Sequence, residues 1–459
     1  MSRLDMAVLG GKVVGASSNY FDVGIRDGVI VSVVPPGGLG PAKRVIDAAG
    51  MLVLPGAVDA HFHCRTPGYE DRGDFFSETC AAAAGGTTSI FEMPISQPGC
   101  ATIATFRNRR RLIEEQAILD VALYGAPGTL RREDVLGMAA EGAIGYKIFM
   151  HRAPAGREEE FIGICLTEDE ELYQALALVG ETGLRLVAHC ESDSMLEAGL
   201  AREKALDPVG TLKGHAASRP PVVEAVAVAR FLSLAEAAGT PVHVAHVSCR
   251  QALEVLERFQ RSGVDASGET CPHYLFFTAD SVDHLGGFAK INPPIRDLED
   301  QQALWQGLGD GSLCLVTTDH APYLLHEKER ASESMWRTPA GAPGAQALLP
   351  IMMDAALRGR FSVEQAVEWV SSGPARLFDL YPRKGAVVEG ADADLCLFDP
   401  RPLTTFSRDR MVSRAADVDR LYEGQSFRGE VATTISHGRI IFEKGAITAK
   451  AGSGRFLRP

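Results

Sequence analysis

The sequence predicts an α/β fold: a (β/α)8 TIM barrel over residues 56–384, joined by a small β-sandwich domain built from both chain termini, residues 1–55 and 385–459. Three observations predict it. Eight short, largely apolar runs recur between about 52 and 380, each followed by a longer helix-like stretch, which is the alternation of parallel βα units. Eight is also the number that closes such a barrel. Both flanks read differently, alternating apolar and polar positions between glycine-bounded turns.

In chain order, residues 1–55 read as a small antiparallel sheet, and within DVGIRDGVIVSVV the segment Arg26-Asp27-Gly28 supplies a hairpin turn. The barrel runs follow as LPGAVDAHF, TTSIFEMP, DVALYGA, IGYKIFM, LRLVAHC, PVHVAHV, DASGETCPHY and LCLVTTDHAP. Of the helices between them, 221–238 carries proline in its first turn and stops at Gly239. Two connections are long, 151–167 (HRAPAGREEEFIGICLT) and 321–344 (APYLLHEKERASESMWRTPAGAPG), as befits lids or recognition loops. Within the first, Glu158 to Glu160 read as a solvated acidic face. From about 385 the segments ADADLCLFD and ATTISHGRIIFEKG return to strand, and the two ends of the chain are expected to pair into one β domain beside the barrel.

Composition narrows the function. The chain has 459 residues, 46% hydrophobic and 23% charged, enough for a large core and unlike a disordered or fibrous chain. A formal net charge of -13 with no basic block argues against nucleic acid and anionic lipid, because counterion release needs a basic face. No stretch has the length of a membrane span, and the N-terminal apolar run is too short for a signal segment, so a cytoplasmic protein is expected. Nine cysteines without a C-x-x-C pair imply neither a disulfide framework nor a zinc knuckle; most should be buried thiols.

Chemistry collects at the ends of the runs, where a parallel barrel carries its catalytic face. His61 and His63 end the first, Lys147 lies in the fourth, His189 ends the fifth, His246 the sixth and Asp319 the eighth. Singly, a histidine in such a place is more often structural than a ligand. The pair in VDAHFHCRTPG is stronger, since period-two geometry points both imidazoles the same way and lets them share a cation. Six suitable residues on five strands, all at one end, point to a metal centre. A lysine ammonium there would be repelled, but burial and nearby cations depress its pKa, and a neutral amine can add carbon dioxide to become a carbamate. That carboxylate could bridge two divalent ions, one held by His61, His63 and Asp319, the other by His189 and His246.

The segments HFHCRTPG, GYKIFM, AHCES, HVAHVS, ETCPHYL, KINPPIR and TTDHAP, in this order and spacing, resemble the cyclic amidohydrolases of the amidohydrolase superfamily: dihydroorotase, allantoinase, hydantoinase and dihydropyrimidinase. The resemblance covers nearly the whole chain. It implies a binuclear centre, usually Zn2+, bridged by a carboxylated Lys147, with His61, His63, His189, His246 and Asp319 as the other ligands. It also implies hydrolysis of a ring amide with Asp319 moving the proton, and a homodimer or homotetramer. The ions would acidify water, so no serine or cysteine nucleophile is required.

Arg65, completing H-x-H-x-R, resembles the dihydroorotase arginine that grips the substrate carboxylate, and Asn292 in KINPPIR points the same way. Ile95 and Tyr323 depart from the dihydroorotase pattern, and ETCPHYL is more similar to allantoinase. The resemblance therefore implies a dihydroorotase-like enzyme, with allantoinase or hydantoinase/dihydropyrimidinase activity as the alternative. A non-catalytic assembly relative, a deacetylase or deaminase on the same barrel, and a subunit supporting a transcarbamoylase are the remaining readings; the complete ligand set opposes the first. Arg65, Asn292, Tyr323 and backbone groups near Pro293 and Gly341 are the candidate substrate contacts.

Overall fold

A computed structural model describes residues 3–15 and 20–459. Its larger part is a sheet of eight parallel strands. These are β1 (Ala57–Phe62), β2 (Thr87–Glu92), β3 (Asp120–Gly125), β4 (Gly145–Phe149), β5 (Leu186–His189), β6 (Val242–Val244), β7 (Ala266–Thr270) and β8 (Leu315–Val316). Each pairs parallel with the next, β1 and β2 with shifts of register along their length, and almost every residue in them is buried. Burial on both faces explains why the runs read as continuous apolar stretches rather than alternating ones. Because β8 is only two residues long, the barrel closes just beyond it: Phe62 bridges His320, and the His63 N–H donates to the His320 carbonyl at 3.0 Å.

Helices cover the outside of the barrel. Pro221–Ala238 runs over the span expected from the sequence and ends at Gly239 with φ +67, a left-handed stop that glycine adopts without a Cβ clash. Phe75–Ala84 starts at Asp74, whose side chain accepts the Ser77 N–H at 2.7 Å.

The two chain ends share one nine-stranded sheet. Leu395–Thr405 pairs antiparallel with Leu52–Pro55 and joins them. A single core of Met6, Val8, Val23, Ile25, Val53, Leu395, Leu397 and Ile435 draws on both ends. Arg26 pairs with Val29 around Asp27 (φ +52) and Gly28 (φ +79), the left-handed pair of a tight hairpin turn. The sheet is mixed, where the sequence implied an antiparallel one at the N-terminus: Leu4–Val13 runs parallel to Ala42–Asp47 and to Leu52–Pro55. The proline- and glycine-rich link 35–41 (PPGGLGP) carries the chain back across the sheet end, so the strands after it start in the same direction as the first. All nine cysteines are free thiols, seven of them buried.

Candidate active site

The closure of the barrel builds the first half of the site. Asp59 in β1 accepts the Thr318 N–H at 3.0 Å and also bonds its hydroxyl, which draws the segment after β8 against β1. Asp319 follows with φ +46, and its Oδ1 lies 3.3 Å from Nε2 of both His61 and His63. His61, His63 and Asp319 offer ligand atoms within 4.8 Å of one another. Burial drives the His63 imidazolium pKa down to about 3, so the ring is neutral. Burial alone would raise the Asp319 carboxyl; the His61 and His63 rings outweigh it and hold it well below the usual range.

On the opposite side, His189 Nδ1 is 3.0 Å from His246 Nε2, and the His61 and His246 rings are 5.2 Å apart. His189 stacks on Phe149 at 4.6 Å. Burial lowers its pKa to about 4 and that of His246 well below normal, with the charge of Lys147 adding to both. Lys147 is fully buried in β4 and its Nζ has no hydrogen-bond partner among the described residues. Desolvation pushes its pKa down to about 8, against the pull of Glu269 and Asp319. The imidazoles of His63, His189 and His246, kept neutral by burial, together with His61, an ionised carboxylate and a buried amine without a partner among the described residues, are a donor set that fits divalent cations.

Buried residues to which the sequence reasoning gave no role surround this set. Glu269, which opens ETCPHYL, sits 2.5 Å from His61 Nδ1 and 3.2 Å from His243 Nε2. Glu191, in AHCES, is 2.7 Å from His189 Nε2 and 2.8 Å from Arg219. The signal available for both was a glutamate inside or directly after a fully buried run. His151, His189 and Glu191 also cluster within 4.8 Å, but Arg219 already supplies a cation there. A further cluster, Asp120, Asp392, Asp394 and His437, is filled by the Lys384 ammonium.

The mouth differs from expectation. Arg65, with φ +66, is buried and lays its guanidinium over the Tyr323 ring at 4.7 Å, while its Nε donates to the Pro322 carbonyl at 3.4 Å. It makes no ion pair with the described residues, so it does not close a salt bridge across the mouth. Arg72 and Lys328 also face the Tyr323 ring, at 5.2 and 5.4 Å, and Arg157 lies 3.4 Å from its hydroxyl. Burial alone would raise the phenol pKa; Arg65, Arg157 and Arg72 together bring it below normal. Asn292 Oδ1 is buried and has no hydrogen-bond partner among the described residues. Glu160 is not solvated as read from the acidic run: the 3-10 turn Glu158–Phe161 tucks it inside, where Arg157 pairs with it at 2.5 Å. Glu158 and Glu159 stay exposed.

A parallel barrel whose strand ends gather four histidines, an aspartate and a buried lysine defines a barrel hydrolase of the metal-dependent class. The chain belongs to the amidohydrolase family, whose model matches residues 52–441, and within it to the allantoinase and hydantoinase group of cyclic amidohydrolases. It is 37% identical to an allantoinase of Rubrobacter xylanophilus, over 100% of this chain and 98% of that one. It is 32% identical to a D-hydantoinase of Ralstonia pickettii over 99% of both. Among solved structures, an L-hydantoinase (dihydropyrimidinase) from Arthrobacter aurescens superposes with a TM-score of 0.93 at 30% identity, covering 99% of this chain and 100% of that one.

Proposed function

We propose that this chain opens the ring of a cyclic ureide as an allantoinase or hydantoinase/dihydropyrimidinase does, with two divalent ions, Zn2+ in our reading, and a carbamate on Lys147. The observation that carries the proposal is the buried Lys147 amine, without a partner among the described residues, beside two groups of histidines. Its depressed pKa supports a neutral nitrogen that adds to carbon dioxide and releases a proton, leaving a carboxylate. His61, His63 and Asp319 would hold one ion and His189 and His246 the other. When bound, the ions acidify water and polarise the ring carbonyl.

The chain's own residues do the rest. Asp319, kept ionised beside His61 and His63, takes the proton from water and passes it to the departing ring nitrogen. One water is consumed and one ring C–N bond breaks. Asn292 Oδ1, lacking a partner, accepts a ring N–H, and Arg65 and Tyr323 form the wall on which the ring substituent lies. The same proposal carries a homodimer or homotetramer in the cytoplasm; among the described residues no helix is long and apolar enough to cross a membrane.

Allantoin or hydantoin takes the place of the dihydroorotate expected from H-x-H-x-R. The relatives favour it, and so does the mouth, since Ile95 offers no donor and Arg65 is laid against Tyr323. A carboxylate clamp reduced to one guanidinium forfeits charge-assisted bonds of roughly 1.5 to 3 kcal/mol each. Zinc-loaded protein assayed with dihydroorotate, allantoin, hydantoin and dihydrouracil is expected to prefer allantoin or hydantoin. Arg65→Ala should then raise KM about tenfold, one hydrogen bond's worth. Preferred turnover of dihydroorotate, abolished in Arg65→Ala, would restore the dihydroorotase reading.

A further inference from the structure

Glu269 lies in β7, buried behind the histidines, and among the described residues its carboxylate makes polar contacts with histidines of β1, of β6 and of the turn after β6. Its Oε1 is 2.5 Å from His61 Nδ1 and 3.3 Å from the backbone nitrogen of His246. Its other oxygen is 3.2 Å from His243 Nε2, and His243 Nδ1 is in turn 2.8 Å from the Ser267 hydroxyl. One side chain thus touches a residue from each half of the site.

At these distances the Glu269 Oε1 accepts from the His61 ring nitrogen and from the His246 backbone N–H. For His61 this places the proton on Nδ1 and leaves the Nε2 lone pair facing Asp319, the orientation a ligand needs. For His246 it anchors a backbone held at φ +37, a region that costs a non-glycine residue energy. The adjoining Val247 N–H donates to the Glu269 carbonyl at 2.8 Å, so the turn is pinned at two points. Glu269 has no ion pair with lysine or arginine among the described residues, so its partners are the histidines.

We infer that Glu269 is a positioning residue for both halves of the centre, fixing the tautomer of His61 and the backbone turn that presents His246. The inference rests on the metal-centre reading above. Its test is zinc titration of metal-stripped wild type and Glu269→Gln against a chromophoric chelator, with melting of the stripped proteins as the check on folding. The stripped forms are expected to melt alike, and at least one zinc equivalent should bind 10- to 100-fold more weakly in the variant. If Glu269→Gln does not fold, Glu269→Asp takes its place, since the shorter side chain cannot reach both His61 and His243; partial loss of zinc affinity is then expected. Wild-type affinity for both equivalents in a folded variant overturns the inference alone. Wild-type protein that takes up no zinc overturns the metal-centre reading and this inference with it.

Discussion

Lys147 is enclosed among buried strand residues and histidines, so its ammonium form is disfavoured by desolvation and by any cation placed nearby. A structural lysine would be expected to have found a carboxylate or, as Lys290 and Lys328 do, backbone carbonyls; Lys147 has neither among the described residues. Replacement by alanine should therefore remove a ligand rather than a salt bridge. Lys147→Ala is expected to retain at most one of two zinc equivalents and to lose about three orders of magnitude in kcat/KM, part of which returns when formate or acetate is added. Elemental analysis and kinetics with and without the acid check it; full activity without added acid would refute the carbamate. The residues with ligand chemistry were legible because residue type and period two name them. Glu269 and Glu191 were not, because they touch the histidines and leave no spacing of their own. The packing of Arg65 was equally hidden, since Tyr323 reaches it from the far end of the barrel sequence.

At the scale of elements, the eight runs were legible because a strand buried on both faces reads as unbroken apolar sequence. Their lengths were not: LCLVTTDHAP yields only Leu315–Val316 as strand, the rest being bent toward β1 by Asp59. The loop 321–344 was read as a recognition element, and its means of support became visible only in three dimensions. Lys328 is fully buried and donates to the carbonyls of Lys290, Pro339 and Gly341 at 3.3, 3.1 and 2.6 Å. Lys290 does likewise to Met335 and Thr338, both at 2.7 Å. Three of these bonds tie the loop to KINPPIR and two close it on itself, with no carboxylate involved. Lys328→Met leaves buried carbonyls unsatisfied, at about 1 to 3 kcal/mol each, and frees the segment that carries Gly341. Faster proteolysis within 321–344 and a KM several-fold higher, with a smaller change in kcat, are expected. Unchanged proteolysis and KM would show that the loop holds itself.

For the whole molecule, the question is what fixes the terminal sheet to the barrel. Asp120 starts β3, at the end of the barrel opposite the site, and faces Lys384, Asp392, Asp394 and His437, with Arg455 beyond His437. Lys384 Nζ is 2.5 Å from both Asp120 and Asp394 and 3.0 Å from Asp392, and His437 Nε2 is 2.7 Å from Asp120. Burial would raise the Asp120 carboxyl, but Lys384 and His437 bring it down to about 2. A depressed carboxyl stabilises the fold above its unfolded pKa and ceases to do so as pH falls through the folded value. The wild type should therefore hold this contribution above about pH 4 and lose it toward pH 2. Lys384→Met removes the central cation and leaves three carboxylates facing one another, a loss of about 3 to 5 kcal/mol near neutrality. In that variant the same carboxyls are raised, so the sign reverses: acidification from neutrality toward about pH 4 should recover stability instead of leaving it flat. Denaturant midpoints of both proteins across this range test the claim. Parallel pH profiles would mean that the cluster is an ornament of the interface and that apolar packing between sheet and barrel holds them together.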